Sequence, residues 1–300
     1  MRTRPLSALA AALLSALLFA QCGGSAPPGP TPPGGGGGTP PPTGPVTVLA
    51  AGDIGECGFG APQTGLLLDR LEGTILALGD LAYFQGTAAN FRDCYDPFWG
   101  RHRDRTRPVP GNHEYESPGA SPYYDYFGSL AGPRGLGYYA FTAGSWRIIA
   151  LNSELPMTPA SAQQQWLRGE LDNNRFSCTL AYWHRPLFSS GPNPPALDAR
   201  DLWRTLSDSG VDLILNGHDH LYERFAPQDV DGKASSVGIR QFTAGTGGAH
   251  LYVFGAPKPN SEKRASVYGL LALTLSAGAY QWDFKSVGNT FSDTGTDTCH

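Results

Sequence analysis

A unit that recurs five times constrains this chain more than anything else: a short β-rich run that stops at a polar turn, usually marked by glycine. Residues 46–51 run into Gly52-Asp53, residues 74–78 into Gly79-Asp80, and residues 108–110 into Gly111-Asn112-His113-Glu114. Further on, 179–183 stops at His184, and 211–215 stops at Asn216-Gly217-His218-Asp219-His220. Helical patterns occupy 62–71, 160–171 and 196–207. Residues 138–141 and 146–151 read as a hairpin around Ala143-Gly144-Ser145. From about Arg240 the strands continue without helices, ending with 270–275 and 280–286, and no internal repeat is visible. The alternation predicts an α/β fold of two stacked mixed β-sheets flanked by helices. In such folds, polar residues at the carboxyl ends of strands collect along one edge, where ligands bind.

The first 45 residues do not join that pattern. Arg2 and Arg4 precede an almost wholly apolar run at 6–20, too short to span a bilayer, so residues 1–21 read as an export signal. Leu18-Phe19-Ala20-Gln21-Cys22-Gly23-Gly24 resembles a bacterial lipoprotein processing site, with Gln21 where a small residue is usual. The mature protein is then either lipid-anchored at Cys22 or freely secreted. Residues 22–45 are nearly all glycine, proline, serine and threonine, a composition that predicts an extended tether without a core. With Cys22 set aside, Cys57, Cys94, Cys178 and Cys299 allow three pairings. The expected ones are Cys57–Cys94 and Cys178–Cys299, the second tying the C-terminal tail to the start of a central strand. A net charge of −4 and a pI near 6.0 leave no basic footprint for a nucleic-acid partner.

The five turns bring together a particular set of donors. Asp53 and Asp80 supply carboxylates, Asn112 an amide oxygen, and His184, His218 and His220 imidazoles. Tyr83, three residues past Asp80, supplies a phenol. Oxygen donors mixed with imidazoles suit hard to borderline metals such as iron, zinc or manganese. One ion needs only three or four ligands, whereas this set fits two ions sharing a bridging carboxylate, the arrangement used for phosphoryl transfer. Each block alone also reads as an ordinary turn. Five in one order, each closing a strand, do not.

These blocks resemble the calcineurin-like metallophosphoesterases and, within them, the purple acid phosphatases. The blocks that carry the resemblance are Asp53-Ile54-Gly55, Gly79-Asp80-Leu81-Ala82-Tyr83, Gly111-Asn112-His113-Glu114, His184, and Gly217-His218-Asp219-His220 followed by Leu221-Tyr222-Glu223-Arg224. It covers about residues 46–250, and Tyr83 points to the purple subgroup. It implies a catalytic domain over 46–300, without the extra N-terminal β-domain of the large plant enzymes. It also implies that Asp53, Tyr83 and His220 hold a ferric ion, that Asn112, His184 and His218 hold a divalent ion (iron, zinc or manganese), and that Asp80 bridges them. Catalysis would be attack of a metal-activated hydroxide on a small phosphate monoester, with His113 orienting the phosphate or protonating the leaving oxygen.

Ala181 departs from the family's usual valine, a mild packing change. Arg185 either contacts the substrate phosphate or pairs with an acid, and His250 is a second candidate substrate contact. His102 reads as a solvated surface residue, and the Tyr123, Tyr124, Tyr126 and Phe127 cluster as helix packing. The competing readings are a phosphodiesterase or nucleotide hydrolase with non-iron metals, and a surface-tethered binding protein without turnover. The expected location is outside the cytoplasm, with membrane contact only through a lipid at Cys22.

Overall fold

The computed structural model describes residues 44–174 and 176–300, so the expected export signal, Cys22 and nearly all of the expected tether lie outside the described residues. The strands in chain order are β1 (Val46–Ala51), β2 (Thr74–Leu78), β3 (Thr106–Val109), β4 (Tyr139–Ala143), β5 (Trp146–Ala150), β6 (Thr179–Tyr182) and β7 (Leu213–Asn216). They continue with β8 (Tyr222–Phe225), β9 (Arg240–Ala244), β10 (Ser261–Ala265), β11 (Gly269–Ser276), β12 (Ala279–Ser286) and β13 (Thr294–Thr298). One sheet has the order β13-β12-β11-β1-β2-β3, the other β10-β8-β9-β7-β6-β5-β4. In the first, β1, β2 and β3 run parallel and β11, β12 and β13 antiparallel. In the second, β5, β6, β7 and β9 run parallel, with β4, β8 and β10 antiparallel at the edges. Both sheets are therefore mixed, as expected.

Side-chain alternation explains why the parallel strands read as unbroken apolar runs. Val48 and Ala50 of β1 face the second sheet, where they join Leu76, Leu180, Leu213 and Phe242 in the inter-sheet core. Leu49 and Ala51 face outward and are covered by Leu68, Phe91, Tyr95 and Trp99. The outer face of the second sheet, with Ile149, Ala181 and Ile214, is covered by Leu167, Leu202, Trp203 and Leu206. Both faces of such parallel strands are dry, so apolar residues dominate them and a polar one needs a buried partner. By contrast β12, Ala279–Ser286, exposes part of one face and alternates visibly.

The helices depart from the sequence reading mainly at their ends. Ala162–Asn173 starts where the Ser161 hydroxyl accepts the Gln164 amide. The helix expected over 196–207 begins as a 3-10 turn, Leu197–Ala199, before Arg200–Asp208. The third strand is shifted to Thr106–Val109, and Pro110 falls just outside it. β13 lies beyond the last expected strand, and two further features escaped the sequence reading. One is the run of short helical turns from Ala88–Asn90 to Gly100–Arg105. The other is β8, whose Glu223 and Arg224 are buried and paired, Glu223 with Ser190 and Ser261, Arg224 with Asp293. His102 is a correction: its Nε2 lies 3.0 Å from Asp69 Oδ1, and its side chain is mostly covered beside Arg105. Burial first, then the charge of Arg105, lowers its pKa. Tyr123, Tyr124 and Phe127 pack in the core as expected. Among the described residues no helix is long and apolar enough to cross a membrane.

Both expected disulfides are formed, with Cα–Cα distances of 4.9 Å for Cys57–Cys94 and 5.5 Å for Cys178–Cys299. The second joins residues 121 apart and links the end of β13 in one sheet to the start of β6 in the other. Replacing Cys178 and Cys299 together by Ser is therefore expected to lower unfolding free energy by about 2–5 kcal/mol. Urea titration of the variant checks this. An unchanged midpoint would mean that the sheets hold together without the link.

Candidate metal centre

The carboxyl ends of β1, β2 and β3 from one sheet and β6, β7 and β9 from the other meet along one edge. Backbone bonds tie the turns there. The Asp53 amide donates to Gly79 O at 2.9 Å, the Gly217 amide to His184 O at 3.0 Å, and the Gly52 amide crosses between sheets to Ala244 O at 2.9 Å. Asp53, Asp80 and His218 have positive φ values of 59°, 51° and 71°. Such conformations are costly for non-glycine residues and persist where the surroundings impose them, commonly at functional sites. Glycine is required beside them: a Cβ on Gly111 would lie 2.3 Å from Asp80 Oδ1.

The seven expected ligands converge as two clusters. In the first, Tyr83 Oη lies 3.1 Å from Asp53 Oδ1 and 3.0 Å from His220 Nε2, and His220 Nε2 lies 3.3 Å from Asp53 Oδ1. In the second, His184 Nε2 lies 3.0 Å from Asp80 Oδ2, 3.2 Å from Asn112 Oδ1 and 3.2 Å from His218 Nδ1. Metal bonds of about 2.1 Å at right angles leave neighbouring donors about 3.0 Å apart, and these separations match. The far nitrogens of two rings are occupied: His184 Nδ1 donates to Leu78 O at 2.8 Å, and His220 Nδ1 to His250 O at 2.6 Å. That tautomer aims the Nε2 lone pair of each at its cluster.

The crowded groups shift one another's proton affinities. Burial opposes ionisation of Asp80, yet the neighbouring His184 and His113 hold its carboxyl well below the usual range. Burial also opposes charge on His184, and the Asp80 carboxylate overrides it, raising the imidazole to about 10. His218 is pushed down to about 3, first by burial and then by the charge of His184. Burial, then the Asp53 carboxylate, raises the Tyr83 phenol. Acids, a phenol and imidazoles crowded around few protons form an arrangement that cations complete, so the donor set fits two metal ions.

The remaining candidates lie around this centre. His113 is half-buried, with Nδ1 donating to Phe84 O at 2.5 Å and Nε2 3.8 Å from Asp80 Oδ2. The ring of His250 is 5.0 Å from that of His220, but its Nδ1 is engaged by Glu56 Oε2 at 2.7 Å. Arg185 pairs through Nε with Glu154 Oε1 at 2.9 Å, and that acid is largely buried. Tyr252, which sequence reasoning missed, stacks on His220 with ring centroids 4.0 Å apart. Glu114 was quoted only as part of a motif, and it braces two turns. Its Oε1 accepts the Leu81 and Ala82 amides at 2.8 and 3.2 Å, and its Oε2 accepts the Gly111 amide at 2.8 Å. Burial, then the Asp80 charge, raises it to about 8. Cys178, Cys299 and Asp212 also cluster, but the two sulfurs are bonded to each other, and Asp212 accepts the Thr179 and His300 amides.

Comparison with known proteins places these observations. The family model for calcineurin-like phosphoesterases matches residues 46–222. Purple acid phosphatase 15 of Arabidopsis thaliana is 26% identical over 217 residues, which cover 60% of this chain and 41% of that protein. The chain spans between 34% and 57% of the curated relatives it matches. Among solved structures, purple acid phosphatase PPD1 from yellow lupin seeds superposes with a TM-score of 0.75 at 18% identity, covering 87% of this chain and 55% of that one. GAP50, the anchor in the inner membrane complex of Plasmodium, gives 0.66 at 16% identity, covering 86% and 90%.

The Glu114 brace generates an expectation. Truncation of Glu114 to Ala leaves three buried amides without an acceptor, and is expected to cost about 2–4 kcal/mol in metal-free protein. Urea unfolding in the presence of chelator measures it, and a loss below about 1 kcal/mol would show that water replaces the carboxylate.

Proposed function

Because the chain belongs to the calcineurin-like phosphoesterase family, we propose that it is an exported phosphatase of the purple acid type that hydrolyses small phosphate monoesters with two metal ions. Residues 46–300 form its catalytic domain in this reading. The observation that carries it is the pair of donor clusters, one around Tyr83 and His220, the other around Asp80 and His184. Asp53, Tyr83 and His220 would hold a ferric ion, Asn112, His184 and His218 would hold a divalent ion (iron, zinc or manganese), and Asp80 would be shared between the two. Anionic oxygens concentrate where the higher charge sits, and neutral donors suit the divalent ion. When bound, the ions supply Lewis acidity to the phosphate oxygens and lower the pKa of water.

The chain supplies the rest. Strained Asp53, Asp80 and His218, with the Glu114 brace, hold the donors in place before substrate arrives, so little reorganisation is needed during reaction. His113, anchored through Nδ1, presents Nε2 at the rim, where it orients the phosphate or passes a proton to the leaving alcohol oxygen. The complete donor set supports turnover over a purely binding role. Export rests on residues 1–21, and Cys22 offers either a lipid anchor or a free mature end. The partner is a small phosphorylated molecule, not a nucleic acid.

Two measurements test this reading. The full chain, produced in an oxidising compartment with iron and zinc, is expected to turn over a chromogenic phosphate monoester faster than the matching diester, and Asp80→Ala to reduce turnover to background. Preference for the diester would make it a phosphodiesterase, and undiminished activity in Asp80→Ala would overturn the assignment of the centre. Tyr83→Phe is expected to abolish a visible tyrosinate–iron absorption band. A colourless but fully active wild-type protein would remove the ferric assignment.

A further inference from the structure

Arg185 follows the ligand His184 directly, and its surroundings are more constrained than those of a surface ion pair. Its amide donates to Ser153 Oγ at 3.2 Å, and its carbonyl accepts the Trp183 indole N–H at 2.7 Å. Nε donates to Glu154 Oε1 at 2.9 Å. The acid is itself fixed: Ser153 Oγ donates to Oε1 at 3.0 Å, and the Glu154 amide donates to Asn152 Oδ1 at 3.0 Å. Asn152 is buried, its side-chain amide donating to Tyr115 Oη at 2.8 Å and to Leu136 O at 2.9 Å. A chain of buried or half-buried groups thus runs from the second sheet to one nitrogen of the guanidinium.

The opposite edge of the guanidinium is free. Among the described residues neither Nη of Arg185 has a protein hydrogen-bond partner, and the side chain is 35% exposed against 11% for Glu154. Both residues border a cavity of about 530 Å³, lined also by Ser153, Pro194, Ala196 and Asp198. Two parallel N–H donors on a fixed fork match two oxygens of a phosphoryl group, a geometry that a lysine cannot reproduce.

We propose that Arg185, aimed by Glu154, grips the phosphoryl group of the bound ester, and that the adjoining cavity receives the leaving alcohol. The inference rests on the phosphate-ester reading of the centre and deepens it. Glu154 is the positioning residue. Glu154 is balanced by Arg185, which leaves Asp198 as the acid on the wall that disfavours a second anionic group, so the substrate class is a monophosphate ester of an uncharged alcohol.

The test measures binding of inorganic phosphate to the metal-loaded full chain by calorimetry, alongside Michaelis parameters for glycerol 2-phosphate. Loss of a bidentate, charge-assisted contact in Arg185→Ala is expected to weaken phosphate binding about 10- to 100-fold and raise KM in parallel, with a smaller change in kcat. Arg185→Lys recovers part of the affinity, and Glu154→Gln loses less than Arg185→Ala. Metal content and thermal midpoint, measured on each variant, stay at wild-type values. Should Arg185→Ala fail to fold, the Lys and Gln variants carry the same comparison. Phosphate affinity within twofold of wild type in folded, metal-loaded Arg185→Ala, or in both conservative variants, overturns the proposal. Wild-type protein that binds phosphate through Arg185 yet cleaves no ester would sink the phosphatase reading and, with it, the leaving-alcohol role of the cavity, while the phosphate contact of Arg185 would stand.

Discussion

The structure depends on a crowding of like groups. Each of seven electron-pair donors lies within 3.0–3.3 Å of at least one other in two clusters, although carboxylates, imidazoles and a phenol have little reason to do so alone. Such crowding is unfavourable unless something positive sits among the donors, protons in the bare protein or cations in the loaded one. Much else on this edge works to enforce it. Left-handed backbone at Asp53, Asp80 and His218, a glycine where any Cβ would strike Asp80, and a buried glutamate stitching two turns all hold donors that would otherwise separate. The rest of the fold is the frame: two sheets whose central parallel strands are dry on both sides and end at a common edge.

The frame and the centre differ in how they show in the sequence. Strands such as β1 and β7 are buried on both faces, so their apolar runs stand out, and the polar turn after each is abrupt. That contrast made the α/β architecture, and the turns that carry the candidate donors, legible before any coordinates. What stayed hidden was polar burial satisfied at a distance. Tyr222–Phe225 carries two charged residues and does not resemble a strand until Ser190, Ser261 and Asp293 are seen around it. His102 lies in a stretch rich in arginine that suggests solvent, yet Asp69, more than thirty residues earlier, draws it in. Glu114 sits two residues from Asn112, a candidate ligand, and nothing local indicates that its carboxylate reaches back to the turn after β2.

The candidates outside the clusters divide similarly. Arg185 is adjacent to a ligand and His250 close to one in space, which is all that spacing conveys. Their side chains are set by Glu154 and Glu56, acids that no motif marks. One acid leaves a donor edge facing a cavity, whereas the other turns its histidine aside and leaves the backbone carbonyl to orient His220. Identity along the chain thus indicated where to look, and partners distant in sequence decided what each residue can do.

The Glu114 brace bears on what an incoming molecule meets. With the turns after β2 and β3 bolted to one buried carboxylate, and those after β1, β6, β7 and β9 cross-linked by main-chain bonds, the mouth has little slack for a closing lid. A small molecule arriving at that edge meets donors already in place, on turns pinned to one another.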